Sequence, residues 1–269
     1  MPFITTSDGT ELFVKDWGKG APLLFVHSWA VDSDIWQYQH AHFAEAGYRV
    51  VAFDRRGHGR SDQPGTGYDA DTLGDDIAAV IEARDLSNVT LIGHSMGGNE
   101  IVRYLARHGS SRVARIALVA PTTPCLVKSA GNPEGVDGAM FEAIRATWRK
   151  DFPGWIAANV KPFFTPETSQ AMMDWATATI TRTPVSVAIA CNKAMVETDF
   201  RPDCKDVTVP ALIVHGTADA SAPIALTGAR TAALIRNSQY KVYEGAPHGL
   251  MFTHMDRLNA DLEAFIRGA

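Results

Sequence analysis

A hydroxyl sits between two glycines in Gly93-His94-Ser95-Met96-Gly97. Before it runs Val89-Thr90-Leu91-Ile92, apolar and β-branched; after it a helical pattern covers Asn99 to His108. G-x-S-x-G in a strand–turn–helix setting predicts a nucleophile raised above the edge of a sheet. The glycines have a physical reason, since bulky side chains at 93 and 97 would clash with the crowded backbone of a sharp turn. The following helix also aims its positive end at the place where negative charge develops. The plain alternative is a serine in an ordinary Gly-rich loop. A dinucleotide loop does not fit, because the spacing is not G-x-G-x-x-G and the centre is a hydroxyl.

A serine hydroxyl is a weak nucleophile without a base beside it. For a serine in this setting the chain order is Ser, then Asp or Glu, then His. Of 9 histidines, only His215, His248 and His254 lie well downstream. His215 ends an apolar strand and reads as structural. His254 opens the last helix and reads as solvated. His248 lies in Gly245-Ala246-Pro247-His248-Gly249, a loop that can reach back over the sheet edge, and is the expected base. In Gly216-Thr217-Ala218-Asp219-Ala220-Ser221, Asp219 is the single carboxylate. The loop Ala120-Pro121-Thr122-Thr123-Pro124 offers none, so Asp219 is the expected partner of the imidazole. Its plain alternative is a turn-forming Asp.

Tetrahedral chemistry needs hydrogen-bond donors where an oxyanion forms. The backbone N–H of Met96, next to the nucleophile, is one expected donor. The other is the N–H of Trp29, in His27-Ser28-Trp29-Ala30 after the early strand Leu23 to Val26. The Trp29 indole then walls a pocket, or else fills the core.

These residues need a sheet to hold them together. Short apolar runs recur at Leu23–Val26, Arg49–Phe53, Val89–Ile92, Arg115–Val119, Ala211–Val214 and Gln239–Tyr243. Such runs fit strands buried on both faces. Helical patterns separate most of them, at Ser33–Ala46, Thr72–Arg84, Asn99–His108 and Pro223–Ile235, with a last one at His254–Arg267. Asp8-Gly9 reads as a hairpin turn. The alternation predicts an α/β fold with a mostly parallel sheet. From about 123 to 200 no strand is evident. Helical patterns at Met140–Lys150, Thr168–Thr181 and Pro184–Thr198 fill that interval, punctuated by prolines. An interval that long is not a plain loop. It reads as a helical cap inserted into a single domain spanning 1–269; helices simply packed on the main core are the alternative. His40-Ala41-His42 is not a metal pair, since i and i+2 diverge on a helix, and reads as a solvated face.

Composition removes competing partners. Hydrophobic residues at 46% and charged residues at 20% exclude a disordered chain. No apolar run reaches the roughly 18 residues of a membrane helix. A net charge of -5 disfavours phosphate-backbone binding, so no nucleic acid is expected. The 3 cysteines, Cys125, Cys191 and Cys204, are too few and too widely spaced for a disulfide framework. With no signal-peptide pattern at the N-terminus, they point to a reducing, cytoplasmic setting. The sequon Asn88-Val89-Thr90 is then a chance match. No cofactor fingerprint or metal motif is present, so neither is expected.

Together these residues resemble the α/β-hydrolase superfamily, and more narrowly the bacterial arylesterases also called cofactor-free haloperoxidases or perhydrolases. The resemblance spans nearly the whole chain. It is carried by Gly47-Tyr48-Arg49-Val50-Val51-Ala52-Phe53-Asp54-Arg55-Arg56-Gly57-His58-Gly59-Arg60-Ser61, by Glu197-Thr198-Asp199-Phe200 and by Tyr243-Glu244-Gly245-Ala246-Pro247-His248-Gly249-Leu250. In the first segment Arg55, Arg56 and Arg60 look like a binding patch, yet anchoring a loop is the favoured reading. The resemblance implies an α/β-hydrolase fold and a Ser95–His248–Asp219 serine esterase of aryl or short-chain esters. Lactonase, lactamase or perhydrolase activity at the same triad is the alternative, and a ligand receptor on the same fold is a further one. Its partner is then a small ester or lactone; a homo-oligomer is compatible with the sequence. Two departures stand out. The family's His-Gly-Trp is His27-Ser28-Trp29 here, and the proline common in perhydrolytic members is Ala30, which favours hydrolysis. Cap residues Phe152, Trp155 and Phe163, with Trp29, are expected to face the substrate.

Overall fold

The computed structural model describes residues 2–268. Strands β1 (Phe3–Thr5) and β2 (Glu11–Trp17) form an antiparallel hairpin across Asp8-Gly9. They are followed by β3 (Pro22–Val26), β4 (Arg49–Phe53), β5 (Val89–His94), β6 (Val113–Val119), β7 (Ala211–Gly216) and β8 (Ser238–Tyr243). All eight join one sheet in the order β1-β2-β4-β3-β5-β6-β7-β8. Strands β3 to β8 run parallel, while β1 and β2 are antiparallel at one edge. Every residue of β5 and β7 is buried, which is why those strands show no alternation of polarity.

The helices are α1 (Gln37–Glu45), α2 (Ala70–Ala83), α3 (Met96–His108), α4 (Gly138–Asn159), α5 (Gln170–Thr181), α6 (Val185–Glu197), α7 (Arg201–Lys205), α8 (Gly228–Leu234), α9 (Leu250–Thr253) and α10 (Met255–Arg267). Two helical layers sandwich the sheet, and the period-two geometry of a strand assigns each side chain to one of them. In β3, Leu24 and Val26 face a core shared with Ile77 of α2 and Ile101 of α3. Leu23 and Phe25 face the opposite core, with Phe43 of α1 and Leu258 of α10.

Helices α4 to α7 all lie between β6 and β7. The pattern ending at Lys150 continues to Asn159, but through a kink at Asp151 (φ −157, ψ 83). Pro153 cannot donate into the preceding turn, and the Asp151 carboxylate instead accepts from Gly154 N at 2.9 Å. The segment after the kink is therefore capped like a new helix. The helical pattern at Pro223–Ile235 is realised only as α8. Its first part is a loop in which Thr227 Oγ1 donates to the carbonyls of Ala222 and Pro223. The last pattern is realised as α10, and the short helix α9 precedes it.

Among the described residues no helix is long and apolar enough to cross a membrane. All three cysteines are free and buried. The solvated-face reading of His40 and His42 is corrected. His42 is partly exposed, but His40 is buried between Phe25 and Trp17, with ring centroids at 5.0 and 5.9 Å. Helix α1 is close enough to β3 and β4 that position 40 points into the core. Neither ring nitrogen of His40 has a hydrogen-bond partner.

Burial, assisted by the Lys15 charge, pushes His40 down to about 3. The unfolded chain takes up that proton near 6.5, so between these values the unfolded state binds more protons and stability falls as pH falls. His40→Leu removes this term. In melting curves from pH 7.5 to 5, the variant's Tm should gain progressively on the wild type as pH drops. A difference that stays constant would show that His40 does not titrate this way.

Candidate active site

Strand β5 ends at His94 and α3 begins at Met96, so Ser95 alone makes the turn, at φ 54 and ψ −118. That is a strained conformation for a residue with a Cβ. It is held by the Ser95 N–H, which donates to Val119 O at 2.9 Å on the neighbouring β6. Crowding explains the glycines. A Cβ on Gly97 would lie 2.5 Å from Val26 O, and one on Gly93 would lie 2.7 Å from the Gly97 carbonyl.

The β7–α8 loop carries Asp219 and the β8–α9 loop carries His248. His248 Nδ1 lies 2.6 Å from Asp219 Oδ2. The other carboxylate oxygen accepts from Ser221 N at 2.9 Å and Ala222 N at 2.7 Å. Burial alone would raise the Asp219 carboxyl. The neighbouring His248 and the donors from His215, His248 and Ala222 outweigh it and hold Asp219 well below the usual carboxylate range. An ionised carboxylate accepts only, so Nδ1 carries the proton and the Nε2 lone pair is left for other work.

Two further histidines serve this pair. His215, the structural residue of the sequence reading, directs Nε2 at Ala222 O (2.8 Å) and at Asp219 Oδ2 (3.0 Å). It gives Oδ2 of the buried carboxylate a second donor beside His248. His94 drew no notice in the sequence. Its ring centroid is 4.6 Å from that of His248, and its Nε2 lies 3.0 Å from His248 O. Burial holds His94 far below its ordinary pKa, so the ring is neutral and Nε2–H donates to that carbonyl. The only sequence signal for His94 was its place inside the serine motif. His254 is partly exposed and bonds Thr253 Oγ1 at 2.9 Å, away from this cluster.

Met96 is the first residue of α3, so its N–H has no carbonyl within its own helix to bind. Trp29 lies in the loop after β3, and residues of α6 and the turn before it tie that loop down. Trp29 Nε1 donates to Ala188 O at 2.7 Å, Thr183 Oγ1 to Ala30 O at 3.0 Å, and Arg182 pairs with Asp32 at 2.7 Å. Ala30 sits at φ 56. Proline, fixed near −65°, cannot occupy that backbone without moving the loop.

Ser28, Trp29, Ser95 and His248 all line one cavity of about 400 Å³. Trp155 and Phe163 line it as expected, with Trp148, Trp175 and Phe252. Phe152 is corrected: it lies behind the wall, edge-on to Trp29 and Trp148 with both centroid distances 5.9 Å. The kink at Asp151 interrupts the helical register from which its direction would be inferred. Trp29 both lines the cavity and packs in the core, stacked on Trp148 at 4.7 Å. Among the described residues, none lining the cavity is Asp, Glu, Lys or Arg. Nor does any group of three or more His, Cys, Asp and Glu residues form a metal-holding cluster. The arginines anchor the structure: Arg56 pairs with Asp76 and Arg60 with Asp54, each at 2.7 Å.

The family model of the alpha/beta hydrolase fold matches residues 21–255. The chain belongs to that family. Within it, the chain is 43% identical to a non-heme chloroperoxidase of Streptomyces lividans, covering 99% of this chain and 100% of that one. It is 37% identical to a bifunctional esterase/perhydrolase of Acinetobacter calcoaceticus, over 99% and 100% of the two chains. An esterase from Exiguobacterium antarcticum superposes with a TM-score of 0.95 at 30% identity, covering 98% of each chain. The hydrolase fold places Ser95, Asp219 and His248 at the carboxyl ends of β5, β7 and β8, where ligands of open α/β sheets bind.

Proposed function

We propose that the protein is a serine hydrolase of small, uncharged carboxylic esters, working through an acyl-enzyme beneath a helical cap formed by about residues 123–200. The observation that carries this reading is the Asp219–His248 pair, 2.6 Å long, whose imidazole lines one largely apolar cavity together with Ser95. Ser95 Oγ attacks the ester carbonyl while His248 Nε2 takes its proton. The carbonyl oxygen becomes an oxyanion, received by the N–H groups of Trp29 and Met96. His248 returns the proton to the leaving alcohol, then activates water to release the acid and regenerate Ser95. Asp219 keeps the imidazole in the Nδ1–H form and stabilises the imidazolium. The carboxylate-free cavity wall suits a neutral acyl group, since a charged one would lose its water without gaining a partner.

The names of the relatives support a second outcome for the same acyl-enzyme. Hydrogen peroxide in place of water would release a peracid. The loop at Ala30 bears on this choice because it directly follows Trp29, whose N–H is a proposed oxyanion donor.

Ser95→Ala should abolish hydrolysis of phenyl acetate, and His248→Ala should lower kcat about 10⁴-fold. Wild-type-like turnover by either would remove the assignment. Phenyl hydrogen succinate, whose acyl group carries a charge, should show a kcat/KM at least about tenfold below that of phenyl butyrate, given the cost of burying an unpaired charge. Equal values would contradict the neutral-acyl reading. Ala30→Pro has to move the loop, and the expected result is a higher ratio of peracid formation to hydrolysis. An unchanged ratio would show that this loop does not choose between water and peroxide.

A further inference from the structure

Arg55 is buried to 1% exposure under the loop that carries Trp29. Its Nη2 donates to His27 O at 2.6 Å, its Nη1 to Ser28 O at 3.0 Å, and its Nε to Glu100 Oε1 at 2.6 Å. Its backbone N–H donates to His27 Nε2 at 2.8 Å. That last bond makes Nε2 an acceptor. Burial and the Arg55 charge hold His27 far below its ordinary pKa, so the ring is neutral and its proton sits on Nδ1. Nδ1–H then donates to Ser28 O at 2.8 Å. One carbonyl is thus gripped by a guanidinium and an imidazole together.

A planar trans peptide points its C=O and the following N–H in opposite directions. The Ser28 carbonyl faces Arg55, so the Trp29 N–H faces away from it. Ser28 and Trp29 share the cavity wall with Ser95 and His248. Glu100, the counter-charge, belongs to α3, the helix that begins with Met96. A single buried ion pair therefore connects the elements that carry the two oxyanion donors.

We propose that Arg55 is a positioning residue for the oxyanion site, fixing through the Ser28 carbonyl the direction of the Trp29 N–H, with Glu100 setting the distance to α3. This rests on the serine-hydrolase reading. Polarising the carbonyl also strengthens the N–H on the same peptide as a donor. Arg56, the next residue, turns away to Asp76 and Asp8, each at 2.7 Å, and provides an internal comparison.

The test is a pair of double variants. Arg55→Met/Glu100→Met replaces the buried pair with apolar side chains of similar length, a change that buried ion pairs often tolerate. Its kcat on phenyl acetate should fall about 10- to 100-fold, part of the effect of losing one oxyanion donor. KM should stay within about threefold, and affinity for phenylboronic acid, which forms a tetrahedral adduct on the serine, should fall with kcat. Arg55→Lys, able to hold one carbonyl but not both, should fall between the two. Arg56→Met/Asp76→Leu removes an equally buried pair and, whatever its effect on Tm, should leave kcat within about threefold. A folded Arg55 double variant with unchanged kcat and boronate affinity overturns the proposal, as does an equal kcat loss in both double variants. If the wild type is inert, or is unaffected by Ser95→Ala, the hydrolase reading and this proposal fall together. Loss with Ser95→Ala but not with Arg55→Met/Glu100→Met overturns the positioning role alone.

Discussion

The structure depends on one close meeting of backbones. Strand β3, strand β5 and helix α3 converge where Gly97 would place a Cβ 2.5 Å from Val26 O. Only at that separation can Ser95 complete the strand-to-helix turn at φ 54. A residue so strained costs on the order of 1–3 kcal/mol and persists only where its surroundings over-determine it. Here they do: β5 is buried along its whole length, and β6 supplies the acceptor for the Ser95 N–H. The other proposed site residues then need only reach the same sheet edge. The loops after β7 and β8 do so together, tied by Ala218 N donating to Ala246 O at 3.1 Å.

Around that turn the interior is polar but nearly closed to water. His27, His58 and His94 are fully buried and held neutral by desolvation, each with at least one ring nitrogen directed at a backbone carbonyl. Neutral imidazoles donate and accept at fixed directions without adding charge to a dry region. Two ion pairs are buried on both sides: Asp76 with Arg56, and Glu100 with Arg55. Burial lifts Glu100 to about 7 in spite of Arg55, and its Oε2 has no partner. An unmatched oxygen of this kind is expensive to bury. The geometry of the Ser28 carbonyl offers a reason for keeping the ion pair there.

The proposed cap divides the labour with the sheet. The sheet edge supplies Ser95, Asp219 and His248, whereas the cavity wall comes largely from α4 and α5 and the turn between them. The cap also reaches the site's framework directly. Gly249 N, next to His248, donates to Phe163 O at 3.0 Å, and Ala188 and Thr183 hold the Trp29–Ala30 loop. Substitutions in α6 that seem remote from the chemistry therefore bear on the proposed oxyanion site.

What the sequence determined by itself was local or ordered along the chain. The alternation of apolar runs with helical patterns set the α/β sheet, because burial on both faces erases polarity from a strand. The serine turn was legible because its glycines, strand and helix are contiguous. Asp219 and His248 were legible because one is the single carboxylate and the other the single histidine of a loop following a strand, in the expected chain order. Tertiary structure decided the rest. His40 and His42 diverge on a helix, but only packing against Phe25 and Trp17 decides that His40 is the one buried. Phe152 and Trp155 look alike in sequence, but packing after the kink at Asp151 leaves the first behind the wall, against Trp29 and Trp148, and the second on it. His94 and Arg55 act on atoms that lie far away in the chain, 154 residues away for His94 on His248 and 27 for Arg55 on Ser28. Such contacts are fixed by how strands are ordered in the sheet, and no local pattern encodes that order.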